Sequence, residues 1–148
     1  MKTATVLEVK QLREGAELPI LEKPPVTREQ LVRYANASGD LNPLHTDDEF
    51  AKSIGMDGVI AHGMLIMGFL GQYVQQLAGK EAFVADFSMR FAAVTRPGDV
   101  ITCRGTVARL FEENGKQAAE LQLTAEKAPG KPVGSGTAVL LFGRQEDR

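Results

Sequence analysis

The chain has 148 residues, 43% hydrophobic and 24% charged, so one soluble domain spanning 1–148 with a sizeable core is expected. A net charge of −2 removes any bulk electrostatic reason to bind nucleic acid or an anionic membrane. Cys103 is the only cysteine, which excludes an internal disulfide. The opening MKTATVLEVKQLREG is too polar for a signal peptide, and no stretch approaches the ~20 apolar residues of a membrane span. A cytoplasmic enzyme or binding module is the expectation.

In chain order, Thr3–Val9 alternates enough for a short strand, and Gly15 begins a loop. Pro24-Pro25 bars a helix before Val26. Thr27-Arg28-Glu29-Gln30 has capping-box spacing, and Leu31, Tyr34 and Ala35 form an apolar stripe at helical spacing. This helix is expected to end near Ser38-Gly39, with Gly39 in the left-handed cap position. A second capping box follows at Thr46-Asp47-Asp48-Glu49, with Thr46 as N-cap and the acids as a solvated start matched to the helix dipole. The helix it opens runs to about Ile54, stopped by Gly55.

From His62 a longer apolar segment reads HGMLIMGFLGQYVQQLAG. Met64, Leu65, Ile66, Met67, Phe69, Leu70, Val74 and Leu77 cover nearly its whole circumference, which predicts a buried helix. Gly63, Gly68 and Gly71 each cost about 1 kcal/mol of helix propensity, offset by close packing on a sheet. Strands follow at 83–94, 100–111, around 121–125 and at 135–142. They are separated by Arg96-Pro97-Gly98-Asp99, by the hairpin signal Asn114-Gly115, and by Pro129-Gly130. Cys103 falls inside the second of these strands and reads as a buried, inert thiol. The last strand is apolar on both faces, as a covered central strand would be. Helices first and antiparallel strands after give an α+β class, with a sheet curling around one long helix.

The chemistry is concentrated in Gly39-Asp40-Leu41-Asn42-Pro43-Leu44-His45. A carboxylate and an imidazole stand on a bent loop between two helix ends, an arrangement suited to proton transfer. The plain alternative is that both residues are caps. Together with Tyr34, Ser38, Thr46 and Asp47, this run closely resembles the signature of the MaoC-like (R)-specific enoyl-CoA hydratases, also called hydratase 2. Ile60-Ala61-His62-Gly63-Met64 resembles the second block of that family, and Phe87–Asp99 its strand and turn.

The resemblance covers about residues 10–142. It implies a hotdog fold, usually dimeric, and a hydro-lyase adding water reversibly and syn to a trans-2-enoyl thioester of CoA or acyl carrier protein, in fatty acid or polyhydroxyalkanoate metabolism. It assigns Asp40 as base on water, His45 as the proton source for C2, and the Gly63 N–H as donor to the thioester oxygen. Asp40 is then ionised and His45 cationic in the state competent for hydration. Asn42 is expected to orient loop and water. His62 either lines the pocket or is a buried histidine stapling the helix start. Arg90 and Arg96, with Lys80 or Lys131, are candidates for the phosphates of the carrier, against a solvated strand face. No cofactor is implied.

Three alternatives follow. Asp40, His45 and His62 form a His/His/carboxylate set, but without metal-site spacing. A thioesterase of the same fold would place a carboxylate on or near the central helix, and residues 62–78 carry none. A non-catalytic partner subunit of a hetero-oligomeric dehydratase would be expected to lack the Asp or His, and both are present here. The partner is therefore either a second copy or a related subunit. Acyl-chain length depends on how Phe69, Tyr73, Phe83 and Phe87 pack.

Overall fold

The computed structural model describes residues 5–143. Pro24-Pro25 holds the chain extended up to Thr27, which caps helix α1, Arg28–Ser38. The capping box is complete: Gln30 N–H donates to Thr27 Oγ1 at 3.0 Å and Thr27 N–H to Gln30 Oε1 at 3.4 Å. Gly39 closes the helix in the left-handed conformation, φ 81°, with its N–H on Ala35 O. A 3-10 turn over Pro43–His45 leads to a short helix α2, Asp48–Ser53, and then to the long helix α3, Gly63–Ala78.

Five strands build one antiparallel sheet in the order β1-β3-β4-β5-β2. They are β1 Leu21–Glu22, β2 Ala82–Phe91, β3 Thr102–Glu113, β4 Lys116–Ala128 and β5 Lys131–Phe142. Asn114 and Gly115 both take positive φ, 52° and 79°, as the tight hairpin between β3 and β4 requires. Bulges at Val107/Arg109 and Val84/Asp86 increase the local twist and let the sheet curl. Leu121, Leu123 and Ala125 on β4, with Ala138 and Leu140 on β5, turn inward and are buried. Ile66, Phe69, Leu70, Tyr73, Val74 and Leu77 of α3 join the same apolar cluster, and α3 packs on β2, β3 and β4. Burying such a set is the main favourable term of the fold, at ~1.5–3 kcal/mol for each large side chain. Phe69 and Tyr73 thus belong to the core, with the Tyr73 hydroxyl donating to Pro19 O at 2.6 Å. The α+β hotdog arrangement expected from the sequence is the one observed. Among the described residues no helix is long and apolar enough to cross a membrane.

Four local readings change. Within 5–9 there is no strand; Val9–Gln11 is a 3-10 turn, and residues 3 and 4 lie outside the described range. Buried Leu7 instead donates its N–H to Leu77 O, covering the end of α3. The N-cap of α2 is Asp47, not Thr46: Asp47 Oδ1 accepts from Glu49 and Phe50 N–H, while Thr46 ends the 3-10 turn. Helix α3 is buried on one side only; Met64 is 57% exposed, and Gly68 faces open space rather than the sheet. The two-residue β1 was not anticipated, because its pairing with Cys103 and Thr102 is set by a strand some eighty residues on. Cys103 is buried, and burial pushes its thiol up to about 12, so it is unreactive at neutral pH.

Candidate active site

The loop after α1 is a relay of short side-chain bonds. Ser38 Oγ accepts from Asp40 N–H at 3.1 Å, Asp40 Oδ1 from Asn42 N–H at 3.3 Å, and Asn42 Oδ1 from Leu44 N–H at 3.0 Å. Each such turn fixes the next peptide, so the loop holds its bend without regular structure. Pro43 then pre-sets the 3-10 turn that aims His45 inward, where its side chain is only 10% exposed.

Two further ties bring in the segment before α3. Asp48 Oδ1 accepts from Val59 N–H at 3.0 Å, and Asp48 Oδ2 pairs with Arg28 at 2.8 Å. Those two partners, Val59 first, hold its carboxyl below the usual range. Asp48 is therefore a clamp joining α1, α2 and the 59–62 segment, not simply a solvated acid at a helix start. No local signal marked it, since Val59 lies eleven residues on. The second tie is His45 Nδ1, which stands 2.8 Å from Ile60 O. A carbonyl only accepts, so Nδ1 carries the proton and Nε2 is turned toward Asp40. The Asp40 carboxylate, 53% exposed, stands 3.8 Å from that Nε2.

His62 is 1% exposed and caps nothing with its side chain. Its Nε2–H donates to the Asp40 carbonyl at 3.2 Å. Its ring stacks on His45, centroids 3.8 Å apart and planes 23° apart, and meets Tyr34 edge-on at 4.8 Å. Burial lowers the His62 pKa from its ordinary value, against the raising effect of the Asp40 carbonyl. Its Nδ1 is buried with no partner, as suits an unprotonated lone pair.

Helix α3 starts directly after His62. Gly63 and Met64 N–H have no hydrogen-bond partner among the described residues, so the positive end of the helix is open. Phe91 lies so close to Gly63 that a Cβ there would sit 3.1 Å from its ring. A cavity of about 340 Å³ opens beside them, lined by His45, Gly63, Ile66, Phe91, Thr95 and Val133 among others. A larger one, about 610 Å³, lies between residues 6–10, Lys116 and Phe142 and contains neither histidine.

The structure thus brings Asp40, His45, Gly63 and His62 together. Asn42 is beside them, with its carbonyl capping the turn. Arg90 does not join them at the cavity wall; it is exposed on β2. Lys80 precedes the opposite end of that ten-residue strand, so it and Arg90 do not form one phosphate site. Arg96 Nη2 faces Asp57 at 3.5 Å. Ligand atoms of Asp40, His45 and His62 do lie within 4.8 Å of one another. Yet His62 Nε2 is committed to a carbonyl, and lone pairs of stacked rings do not converge on one ion at the ~2.0–2.1 Å that a metal–imidazole bond needs. What remains is an imidazole and an open helix N-terminus lining one cavity, with the Asp40 carboxylate 3.8 Å from the imidazole nitrogen.

The chain is similar to proteins of one known family. The family model described as MaoC like domain matches residues 13–128. An (R)-specific enoyl-CoA hydratase of Rhodospirillum rubrum is 30% identical over 131 residues, 88% of each chain. A 3-hydroxybutyryl-CoA dehydratase of Methylorubrum extorquens is 29% identical over 90% of this chain and 85% of its own. Among solved structures, the (R)-hydratase from A. caviae involved in PHA biosynthesis superposes with a TM-score of 0.77 at 30% identity, covering 90% of this chain and 98% of that one.

Proposed function

The chain belongs to the MaoC-like domain family and is a hydro-lyase, and from that premise we propose that it catalyses reversible syn hydration of trans-2-enoyl-CoA to (3R)-hydroxyacyl-CoA. The observation that carries this reading is the 3.8 Å gap between Asp40 Oδ2 and His45 Nε2, next to the unpaired Gly63 N–H.

A water beside that gap can donate to Asp40 Oδ2 and accept from His45 Nε2–H, one oxygen–oxygen and one nitrogen–oxygen contact of ordinary length. Asp40 takes a proton from the water as its oxygen bonds to C3. The C2–C3 π pair moves toward the carbonyl, and the thioester oxygen gains enolate charge. Gly63 N–H, at the positive end of α3, donates to that oxygen. The enolate collapses and C2 takes the proton from His45 Nε2. His45 is left neutral, still donating from Nδ1 to Ile60 O, and the proton on Asp40 passes through solvent to His45 Nε2, which restores both groups. Water and the C2 proton come from one side of the substrate, because Asp40 and His45 share one loop; the addition is syn. Dehydration is the same path reversed.

CoA is the carrier in the names of the Rhodospirillum rubrum and Methylorubrum extorquens relatives, and an acyl carrier protein is the competing carrier. The thioesterase reading has no support from α3, which carries no Asp or Glu. The assembly we propose is a homodimer through β2, the ten-residue edge strand whose outer side pairs with no described strand.

Disappearance of the conjugated enoyl thioester absorbance of crotonyl-CoA tests the reaction. Asp40→Asn and His45→Ala are each expected to lower kcat by about 1,000-fold or more with the fold intact. Undiminished turnover in either variant would overturn the assignment.

A further inference from the structure

We propose that His62 is a positioning residue for this reaction: its Nε2–H pins the Asp40 peptide and its ring face backs the His45 imidazole. The inference rests on the roles proposed above for Asp40 and His45.

Three contacts define the arrangement. The Asp40 carbonyl is held at 3.2 Å by His62 Nε2, from twenty-two residues away. Leu44 and His45, at the far end of the loop, are tied to Ile60, but the other bonds to Asp40 itself are short-range ones between neighbours, and its Oδ1 accepts from Asn42 N–H. The loop is otherwise exposed, and Asp40 has no long-range side-chain anchor beyond the 3.8 Å approach to His45. His62 therefore sets where the carboxylate sits relative to the rest of the fold. The second contact is the 3.8 Å stack on His45. The Nδ1 bond to Ile60 O leaves the His45 ring free to tilt about the Nδ1 direction; a ring packed flat against it removes that freedom. The third is Tyr34, whose ring meets His62 edge-on at 4.8 Å and closes its outer side.

The same geometry requires His62 to be neutral. A carbonyl at Nε2 and an unpartnered, buried Nδ1 leave no acceptor for a second proton. The charged or titratable groups facing it are Asp40 from the loop, His45 from the 3-10 turn and Tyr34 from α1. A charged His62 would also repel His45 in the protonated state that donates to C2.

The chain has only two histidines, so both are resolvable by ¹⁵N-histidine labelling. Long-range proton–nitrogen spectra of the intact protein are expected to show His62 as the neutral Nε2–H tautomer, titrating below the ordinary value of 6.5. A predominant Nδ1–H tautomer, or a midpoint at or above that value, would overturn the proposal.

Kinetics give the second readout. His62→Leu fills the space without a donor, and kcat on crotonyl-CoA is expected to fall by about 100-fold with KM within about threefold. His62→Gln restores a planar donor and is expected to recover at least about tenfold of that loss. Unchanged kcat in a folded His62→Leu, a rise in KM alone, or no recovery with Gln would each count against it. If His62→Leu does not fold, the spectra and the kcat of His62→Gln against wild type, expected within about tenfold, decide. Asp40→Asn run in parallel separates the two readings. A fully active Asp40→Asn removes the premise. An inactive Asp40→Asn beside a fully active His62→Leu removes only this inference.

Discussion

Asp40 Oδ2 and His45 Nε2 stand 3.8 Å apart, beyond a direct hydrogen bond and close enough for both to reach one water. The spacing comes from three supports: a chain of short turns behind Asp40, His62 Nε2–H on the Asp40 carbonyl, and the Ile60 carbonyl behind His45. Asp40→Glu adds one methylene and drives the carboxylate into the space the water needs. We expect kcat to fall by about 100-fold while KM changes little, measured by steady-state hydration of crotonyl-CoA. A glutamate enzyme as fast as wild type would mean that the gap does not matter.

Gly63 is where backbone chemistry and steric room coincide. A Cβ there meets the Phe91 ring at 3.1–3.4 Å, and Phe91 is 53% exposed and able to swing away. Gly63→Ala keeps the amide, so about a tenfold loss of kcat is expected, partly recovered in Gly63→Ala with Phe91→Ala. Gly63→Pro keeps the helix start but removes the N–H, and about a 100- to 1,000-fold loss is expected. Equal kcat for the Ala and Pro variants would argue against an amide donor.

Acid stability has two expected steps. Burial lowers the His62 pKa, so its contribution is complete above 6.5 and is lost as pH falls below that value. The Val59 bond and Arg28 lower the Asp48 pKa, so its contribution is complete above 3.8 and is lost as pH falls through the folded value. Urea midpoints followed against pH are expected to show the first decline flattened in His62→Gln and the second in Asp48→Asn. Parallel curves for wild type and both variants would contradict the assignment.

The outer edge of β2, which pairs with no described strand, predicts self-association. Phe91 on this strand is exposed, and a ten-residue edge strand is a template for pairing. Sedimentation equilibrium at micromolar concentration is expected to give twice the monomer mass. A monomer throughout that range would refute pairing through β2.

Much of this molecule was legible in local chemistry. The Thr27–Gln30 capping box, the Gly39 stop and the Asn114-Gly115 hairpin each depend on residues within four positions of one another, and each is observed. The Asp40/His45 loop was legible for the same reason: Ser38, Asp40, Asn42 and Pro43 bend the chain through bonds to near neighbours. The failures are equally physical. Thr46 matched the capping-box pattern through Glu49, but it is taken up in ending the 3-10 turn, so Asp47 begins α2. The strand expected up to Val9 lost to burial of Leu7 against the end of α3.

The sequence by itself determined the class of fold, the order of its three helices and four long strands, and the presence of a paired carboxylate and imidazole on a rigid bend. Tertiary structure alone decided what that pair faces. Asp48 reaching Val59, His45 reaching Ile60, His62 reaching Asp40 and Phe91 closing on Gly63 are contacts between residues eleven or more positions apart. No local propensity encodes them. They form because the curled sheet and the buried face of α3 must pack together, and that packing sets the helix terminus beside the loop.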